Sequence, residues 1–194
     1  MIEKLYLIDR NPELVEAWRS QFRSFTEVAV LQGDYFQKEA SVIVSPANSF
    51  GFMDGGLDLA IRDRLGESVE RELQNQISQQ YHGELPIGHC LTIETGSSQW
   101  PHLAAIPTMR VPSIIQGTLN VYYAFRALLL CSIGTENAKF NSVLCPGLGT
   151  GVGGVSPENC AGQMAFAYKQ FVSGGYIPTA REVLKNHSEL ESYK

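Results

Sequence analysis

Short apolar runs alternate along the chain with longer segments whose apolar residues recur at helical spacing. The runs predict strands at residues 4–9, 28–31, 41–45, 87–94, 103–107 and 142–145. The longer segments predict helices at residues 12–22, 57–80, 121–133, 157–171 and 179–186. This alternation is typical of an α/β domain whose mixed or mainly parallel sheet is covered by helices. We predict a single domain over residues 1–172 and a C-terminal polar tail or helix over residues 173–194.

Three local signals refine these elements. The run SVIVS has no polar position to face solvent, so it predicts a central strand covered on both sides. Asn11 and Pro12 form a typical helix start, with a capping side chain followed by a proline that needs no N–H partner. Asp58 is a candidate cap for the helix over residues 57–80.

Composition limits the class of protein. With 194 residues, 44% hydrophobic and 18% charged, the chain can bury a core and is not disordered. A net charge of −5 argues against a protein that coats nucleic acid, whereas backbone N–H groups can still bind a small anion. No apolar run approaches the roughly 20 residues of a membrane span, and no secretory signal is visible. The four scattered cysteines are expected to be reduced and buried, in a cytoplasmic protein.

Two glycine-rich loops carry the candidate chemistry. Each follows a predicted buried strand and precedes a helix, at residues 46–56 and 146–154. Loops at the carboxyl ends of parallel strands line the ligand crevice, and glycines let several N–H groups approach one anion. The two loops are therefore expected to hold the two halves of a pyrophosphate. The alternative, glycines that only form tight turns, stays more open for the first loop than for the second.

Other chemical motifs are missing. Gly149, Gly151 and Gly154 match G-x-G-x-x-G, but no following βαβ unit carries the acidic residue of a dinucleotide site. No lysine of a P-loop follows either loop, so hydride transfer and ATP hydrolysis are not expected. The four histidines are scattered, and we expect neither a metal site nor a cofactor.

Three segments resemble the macrodomain family, whose members bind ADP-ribose. SPANS-FGFMDGG-LDLAI is similar to the family pattern N-A-A-N-S, a glycine run and V-D-x-A-I. Gly33-Asp34 is similar to the family's G-D-I-T, and PGLGTGVGG to P-x-x-S-T-G-V-Y-G. The resemblance implies a three-layer α/β/α fold with a mixed central sheet. It leaves three alternative functions: an enzyme that hydrolyses an ADP-ribosyl linkage, a non-catalytic ADP-ribose-binding module, or a scaffold. The implied partners are ADP-ribose and ADP-ribosylated protein or nucleic acid, with no membrane.

The resemblance also implies residue roles. Asp34 would accept a hydrogen bond from the adenine amino group, or else be an ordinary turn residue. Asn48 would bind the distal ribose, or else close an Asx turn. Asp58 would act with Asn48 on a catalytic water, or else cap a helix. The other implied ligand contacts are Tyr35, Ala47, Ser49, Gly55, Gly56, Leu57, Gly147, Leu148, Gly149, Thr150, Gly151, Val152 and Gly153.

Of four departures from the family pattern, three bear on hydrolysis more than on binding. Ser45 and Pro46 replace an asparagine and an alanine, and Met53-Asp54 replaces two glycines. Gly153 replaces an aromatic residue that, in the family, packs on the distal ribose. Phe50 or Phe52 would then supply this wall of the ribose pocket.

The fourth departure concerns topology. Family members end in a strand and a helix, whereas this chain begins with such a unit, KLYLIDRNPELVEAWRSQF. We therefore predict a circular permutation, which is feasible because domain termini often lie close together. It would place Asp9, Arg10 and Asn11 at the adenine end of the cleft, with Arg10 stacked on the base.

Overall fold

The computed structural model describes residues 2–134 and 140–194. The strands of this part are β1 (Lys4–Asp9), β2 (Val28–Gln32), β3 (Val42–Ser45), β4 (Leu91–Glu94), β5 (His102–Ala105) and β6 (Ser142–Cys145). Its α-helices are α1 (Pro12–Phe22), α2 (Gly56–Leu65), α3 (Ser68–Tyr81), α4 (Asn120–Gly134), α5 (Pro157–Val172) and α6 (Ala180–Glu191). A 3-10 turn at Tyr35–Gln37 follows β2.

The strands form one sheet in the order β2-β1-β6-β3-β5-β4. All neighbours are parallel except β4 and β5, so the sheet is mixed. Helices α1, α4 and α5 pack on one face, and α2 and α3 pack on the other. The predicted three-layer α/β/α fold is confirmed. Every residue of β3 is buried between the two helical layers, as the run SVIVS predicted.

The predicted start of α1 is confirmed, whereas the helix predicted to follow the first glycine loop is divided into two. The Asn11 side chain caps α1 by accepting from the backbone N–H of Glu13 at 2.9 Å, as predicted. The single helix predicted at 57–80 is wrong, because Gly66 ends α2 with a φ of +91°. A residue with a positive φ cannot continue a right-handed helix, and glycine adopts this conformation at little cost. Asp58 is not the cap of α2 either, since Gly55 holds that position and Asp58 lies in the first turn.

The strand predicted at 87–94 begins only at Leu91. The preceding residues form a turn in which the N–H of His89 donates to the carbonyl of Pro86 at 3.1 Å. Gly88 has a φ of +88° in this turn, a conformation that interrupts a strand. No helix within residues 2–134 and 140–194 is long and apolar enough to cross a membrane.

The C-terminal helix α6 extends to Glu191, beyond the predicted end at residue 186. A reciprocal capping box between Thr179 and Glu182 starts it. Its far end docks on α5, where Leu190 is buried and the ring of Tyr193 covers Gly162. A Cβ atom at Gly162 would lie 2.1 Å from that ring, so the docking depends on the glycine.

None of the four cysteines, all of which lie in the described part of the chain, forms a disulfide, and only two are buried as predicted. Cys145 and Cys160 lie in the core, whereas Cys90 and Cys131 are partly exposed beside β4. A hydrogen bond from Cys90 is the main reason that the pKa of Cys131 falls to about 6. Burial opposes this fall, and a hydrogen bond with Thr92 lowers the pKa further. This lowering of its pKa favours the thiolate of Cys131, which is the nucleophilic form.

We expect iodoacetamide to alkylate Cys131 before the other three cysteines at pH 7. The rate should fall as the pH drops below about 6, because protonation removes the thiolate. Mass spectrometry of the four cysteine peptides over a time course measures this order. Faster labelling of Cys90 or of a core cysteine would contradict the assignment.

Candidate functional site

The candidate site opens where β3 and β6 diverge at their carboxyl ends. β3 pairs with β6 only through its first two residues. Beyond them the hydroxyl of Tyr35 lies between the strands, 2.7 Å from the carbonyl of Val44 and 2.8 Å from that of Leu144. In open α/β sheets, ligands bind in the crevice outside such strand ends. The divergence creates that crevice here.

A cavity of about 680 Å³ occupies the crevice. Its size falls within the range usual for small-molecule sites. The predicted residues that line it are Arg10, Asp34, Tyr35, Ala47, Asn48, Gly55, Gly56, Leu57, Asp58, Gly147, Gly149, Thr150, Gly151, Val152 and Gly153.

Two predicted contacts, Ser49 and Leu148, are not among the residues that line the cavity. The backbone of Ser49 bonds to Arg110 and Leu85, which holds this residue in the interior with 1% of its surface exposed. The side chain of Leu148 is fully buried in the core. Neither side chain reaches the cleft.

The second glycine loop lines the cavity with residues 149–153. The backbone N–H groups of residues 149–153 donate to no acceptor among the described residues. The loop is held in shape by other bonds, from Val155 N–H to the carbonyl of Gly149 at 3.0 Å and from Ile115 N–H to that of Gly153 at 2.9 Å. Successive backbone N–H groups without a protein acceptor are suited to binding an anion.

Gly153 is required by the packing of this loop. A Cβ atom there would lie 2.5 Å from the carbonyl oxygen of Gly149 and 2.8 Å from Ile115. The position therefore cannot carry the aromatic residue expected from the resemblance. Of the two residues suggested for the missing wall, Phe52 lines the cavity and is 52% exposed. Phe50 does not line it and instead packs under the guanidinium of Arg110.

The first loop is organised by Asn48. Its Oδ1 accepts from the N–H groups of Phe50 and Phe52 at 3.0 and 3.3 Å, and its Nδ2 donates to the carbonyl of Phe52 at 2.7 Å. The Asx turn left open by the sequence is therefore present. An amide carries two N–H donors, so one N–H of Asn48 takes no part in these bonds, and Asn48 lines the cavity.

The unusual pair Met53-Asp54 divides between the core and the cleft. Met53 is 1% exposed, and its N–H donates to a carboxylate oxygen of Glu70 on α3 at 2.8 Å. Asp54 is exposed and lines the cavity. Its negative charge therefore faces any anion bound there.

Asp58 lies partly buried in the first turn of α2. The Ser45 hydroxyl donates to its Oδ1 at 2.6 Å. Burial raises the pKa of Asp58 to about 6, the Ser45 hydrogen bond opposes that rise, and the charge of Asp54 adds to it. A carboxylate with a pKa near the working pH is suited to general base catalysis.

Arg10 and Asp34 meet at another part of the cavity. Asp34 Oδ1 accepts from Phe36 N–H at 2.8 Å, and its Oδ2 accepts from Arg10 at 2.5 Å. The backbone bond from Phe36, followed by the bond from Arg10, lowers the pKa of Asp34. Asp34 is thus an ionised acceptor that also caps the 3-10 turn.

The position of β1 agrees with the predicted circular permutation. β1 lies between β2 and β6, and the N–H of Gly33 donates to the carbonyl of Asp9 at 3.0 Å. A strand at a distant sheet edge would have excluded the permutation.

Asp9, which the predicted permutation placed at the cleft, lines the cavity, and its carboxylate accepts from Gly147 N–H at 3.3 Å. This bond joins the N-terminal strand to the second loop. Several other lining residues were not predicted. Thr108, Met109 and Pro112 form a further wall between β5 and α4. No motif marks these residues, because only the strand order brings them to the cleft.

This fold and cleft define an α/β domain with a small-molecule site at the carboxyl ends of parallel strands. The family model described as Macro domain matches residues 44–164. The chain belongs to the macrodomain family.

Similar proteins agree with this assignment. An uncharacterized protein of Aquifex aeolicus is 32% identical over 145 residues, covering 75% of this chain and 82% of that protein. An O-acetyl-ADP-ribose deacetylase of Escherichia fergusonii is 33% identical over 141 residues, covering 72% and 76%.

Solved structures show the same fold. A mutant Oceanobacillus iheyensis macrodomain with ADPR has a TM-score of 0.62 at 19% identity, covering 83% of this chain and 88% of that one. The macrodomain of Mycobacterium tuberculosis DarG has a TM-score of 0.57 at 23% identity, covering 72% and 88%.

Proposed function

We propose that this chain binds ADP-ribose, free or attached to an acceptor, and hydrolyses the linkage between ADP-ribose and that acceptor. The observation that carries the binding proposal is the set of unpaired N–H groups at residues 149–153, which suits a diphosphate. The N-terminus of α2 adds further N–H groups and the positive end of a helix dipole.

The strand order supports one orientation of the nucleotide. β1 and β6 separate β2 from β3, a span of about 14 Å at the usual strand spacing. Adenine would lie after β2 at Asp34 and Arg10, and the distal ribose after β3 at Asn48 and Asp58. The diphosphate would then rest between them on the loop after β6.

Asp58 supports the hydrolytic part of the proposal. Its carboxylate would take a proton from water while the water oxygen bonds to the reacting carbon. The bond to the acceptor breaks, and the acceptor leaves with the proton that Asp58 took from the water, which restores the carboxylate. Because the Escherichia fergusonii relative is an O-acetyl-ADP-ribose deacetylase, O-acetyl-ADP-ribose is a suitable first substrate to test.

A non-catalytic binding module is the second candidate. It is favoured by Asn48, whose amide already makes three hydrogen bonds within its own loop. Titration with ADP-ribose in a calorimeter tests binding, and release of acetate from O-acetyl-ADP-ribose tests turnover. Binding heat without acetate release would favour the non-catalytic binding module over the hydrolase. The absence of both signals would overturn the proposal.

Recognition of adenine by Asp34 predicts base selectivity. We expect ADP-ribose to bind at least about tenfold more tightly than its inosine counterpart, because hypoxanthine has a carbonyl oxygen in place of the amino donor and cannot make this hydrogen bond to the carboxylate. In Asp34→Ala the two ligands should bind alike, since the acceptor is gone. Calorimetric titrations of both ligands against both proteins give the ratio. Equal affinities in the wild type would rule out Asp34 as the adenine acceptor.

A further inference from the structure

Ser45 makes the closest side-chain contact to the proposed catalytic carboxylate. It is the last residue of β3 and is fully buried. Its hydroxyl lies 2.6 Å from Asp58 Oδ1, across a sequence separation of 13 residues. Hydrogen bonds from a hydroxyl to a carboxylate are short and about twice as strong as neutral ones. A serine at this position thus has a defined partner, whereas the resemblance leads one to expect an asparagine.

The other groups around Asp58 do not supply this stabilisation. Asp54 faces it from the preceding loop with a like charge. Tyr35 interacts with it electrostatically from below, but its hydroxyl bonds to the backbone of β3 and β6. On α2 itself, the guanidinium of Arg62 is paired with Glu70 of α3 at 3.1 Å.

We propose that Ser45 is a positioning residue that orients the Asp58 carboxylate and keeps it ionised, leaving Oδ2 to accept the proton from water. This inference rests on the proposed hydrolytic function. A carboxylate that rotates freely about its χ2 bond would for part of the time direct neither oxygen at the water. Ser45 occupies Oδ1 from the rigid central strand, so the orientation is fixed by the sheet rather than by the loop.

The role predicts a specific effect on ionisation. Because the Ser45 hydrogen bond favours the charged form, its loss raises the pKa of Asp58 further above the ordinary value. A larger fraction of Asp58 would then be protonated at neutral pH and unable to accept a proton. Turnover would fall at neutral pH and recover only in alkaline buffer.

The experiment compares Ser45→Ala and Ser45→Cys, which remove or weaken the donor, with Ser45→Thr, which keeps a hydroxyl and suits a strand. Two readouts are needed: the pH dependence of kcat and KM on O-acetyl-ADP-ribose, and the titration of Asp58 followed by carboxyl ¹³C NMR. The Asp58 resonance is assigned by its loss in Asp58→Asn.

In Ser45→Ala we expect the Asp58 titration and the acidic limb of kcat to move up by about one pH unit or more, with KM nearly unchanged. Ser45→Cys should move both in the same direction, and Ser45→Thr should restore wild-type behaviour. An Asp58 titration that is unchanged in the alanine and cysteine variants would overturn the proposal. So would a lower kcat at every pH with no movement of the limb.

The two proposals can fail separately. If the wild type releases no acetate but its Asp58 titration moves in Ser45→Ala, the hydrolytic function is wrong and the coupling between Ser45 and Asp58 stands. If the wild type turns over and the titration does not move, the hydrolase stands and Ser45 has no positioning role.

Discussion

Asp58→Asn is expected to lower the rate of ADP-ribosyl hydrolysis by about 10²–10⁴-fold, the usual effect of losing a general base. The amide is nearly the same size as the carboxylate and can still bond to the Ser45 hydroxyl, so the loop and helix should keep their positions. The affinity for ADP-ribose should therefore stay within about threefold of the wild type, a small change on the free-energy scale. Single-turnover kinetics and calorimetry separate the two effects.

Asp63→Asn is the matched control, because Asp63 is an exposed aspartate on the same helix. It undergoes the same chemical change and should leave turnover and affinity unaltered. If Asp58→Asn keeps wild-type turnover, another group must activate the water.

The pH dependence of the wild type follows from the same carboxylate. A pKa of about 6 means that Asp58 is ionised above that pH and protonated below it, so the rate should rise through pH 6 and level off above pH 7. Asp54→Asn should move this limb to lower pH, because it removes a like charge that raises the pKa of Asp58. A limb that stays in place would show that Asp54 and Asp58 do not interact.

Gly153→Ala is expected to weaken ADP-ribose binding by roughly 10–100-fold and to lower the stability of the fold by about 1–3 kcal/mol. The added methyl group would lie 2.5 Å from the Gly149 carbonyl oxygen and 2.8 Å from Ile115. Backbone cannot move aside as a flexible side chain can, so the loop must open. The N–H groups of residues 149–153 would then no longer point at a common anion. Thermal unfolding and calorimetric titration measure the two losses.

Gly151→Ala provides the control within the same loop. A Cβ atom at Gly151 meets nothing within 4 Å, so this variant should unfold at the wild-type temperature. Any loss of affinity in Gly151→Ala then reports contact with the ligand rather than distortion of the loop. If Gly153→Ala binds as tightly as the wild type, the arrangement of N–H groups is not what holds the ligand.

Local sequence patterns predicted the strands and helix ends that are determined by residues adjacent in the chain. The run SVIVS could only be a buried strand, and it is β3 between two helical layers. Asn11 and Pro12 start α1 because a cap depends on neighbouring residues alone. The break at Gly66 was missed because a single glycine inside an amphipathic segment is compatible with either a turn or a weakened helix.

The sequence by itself determined the layered α/β fold and the two glycine loops that follow buried strands, since both depend on residues close together in the chain. Tertiary structure alone decided which side chains meet at the cleft. Ser45 reaches Asp58 over 13 residues, Arg10 reaches Asp34 over 24, and Asp9 reaches Gly147 over 138. Those contacts exist because the sheet places β1 beside β2 and β6, and β6 beside β3. Strand order depends on the free energy of the whole packed sheet, which no local pattern of residues records.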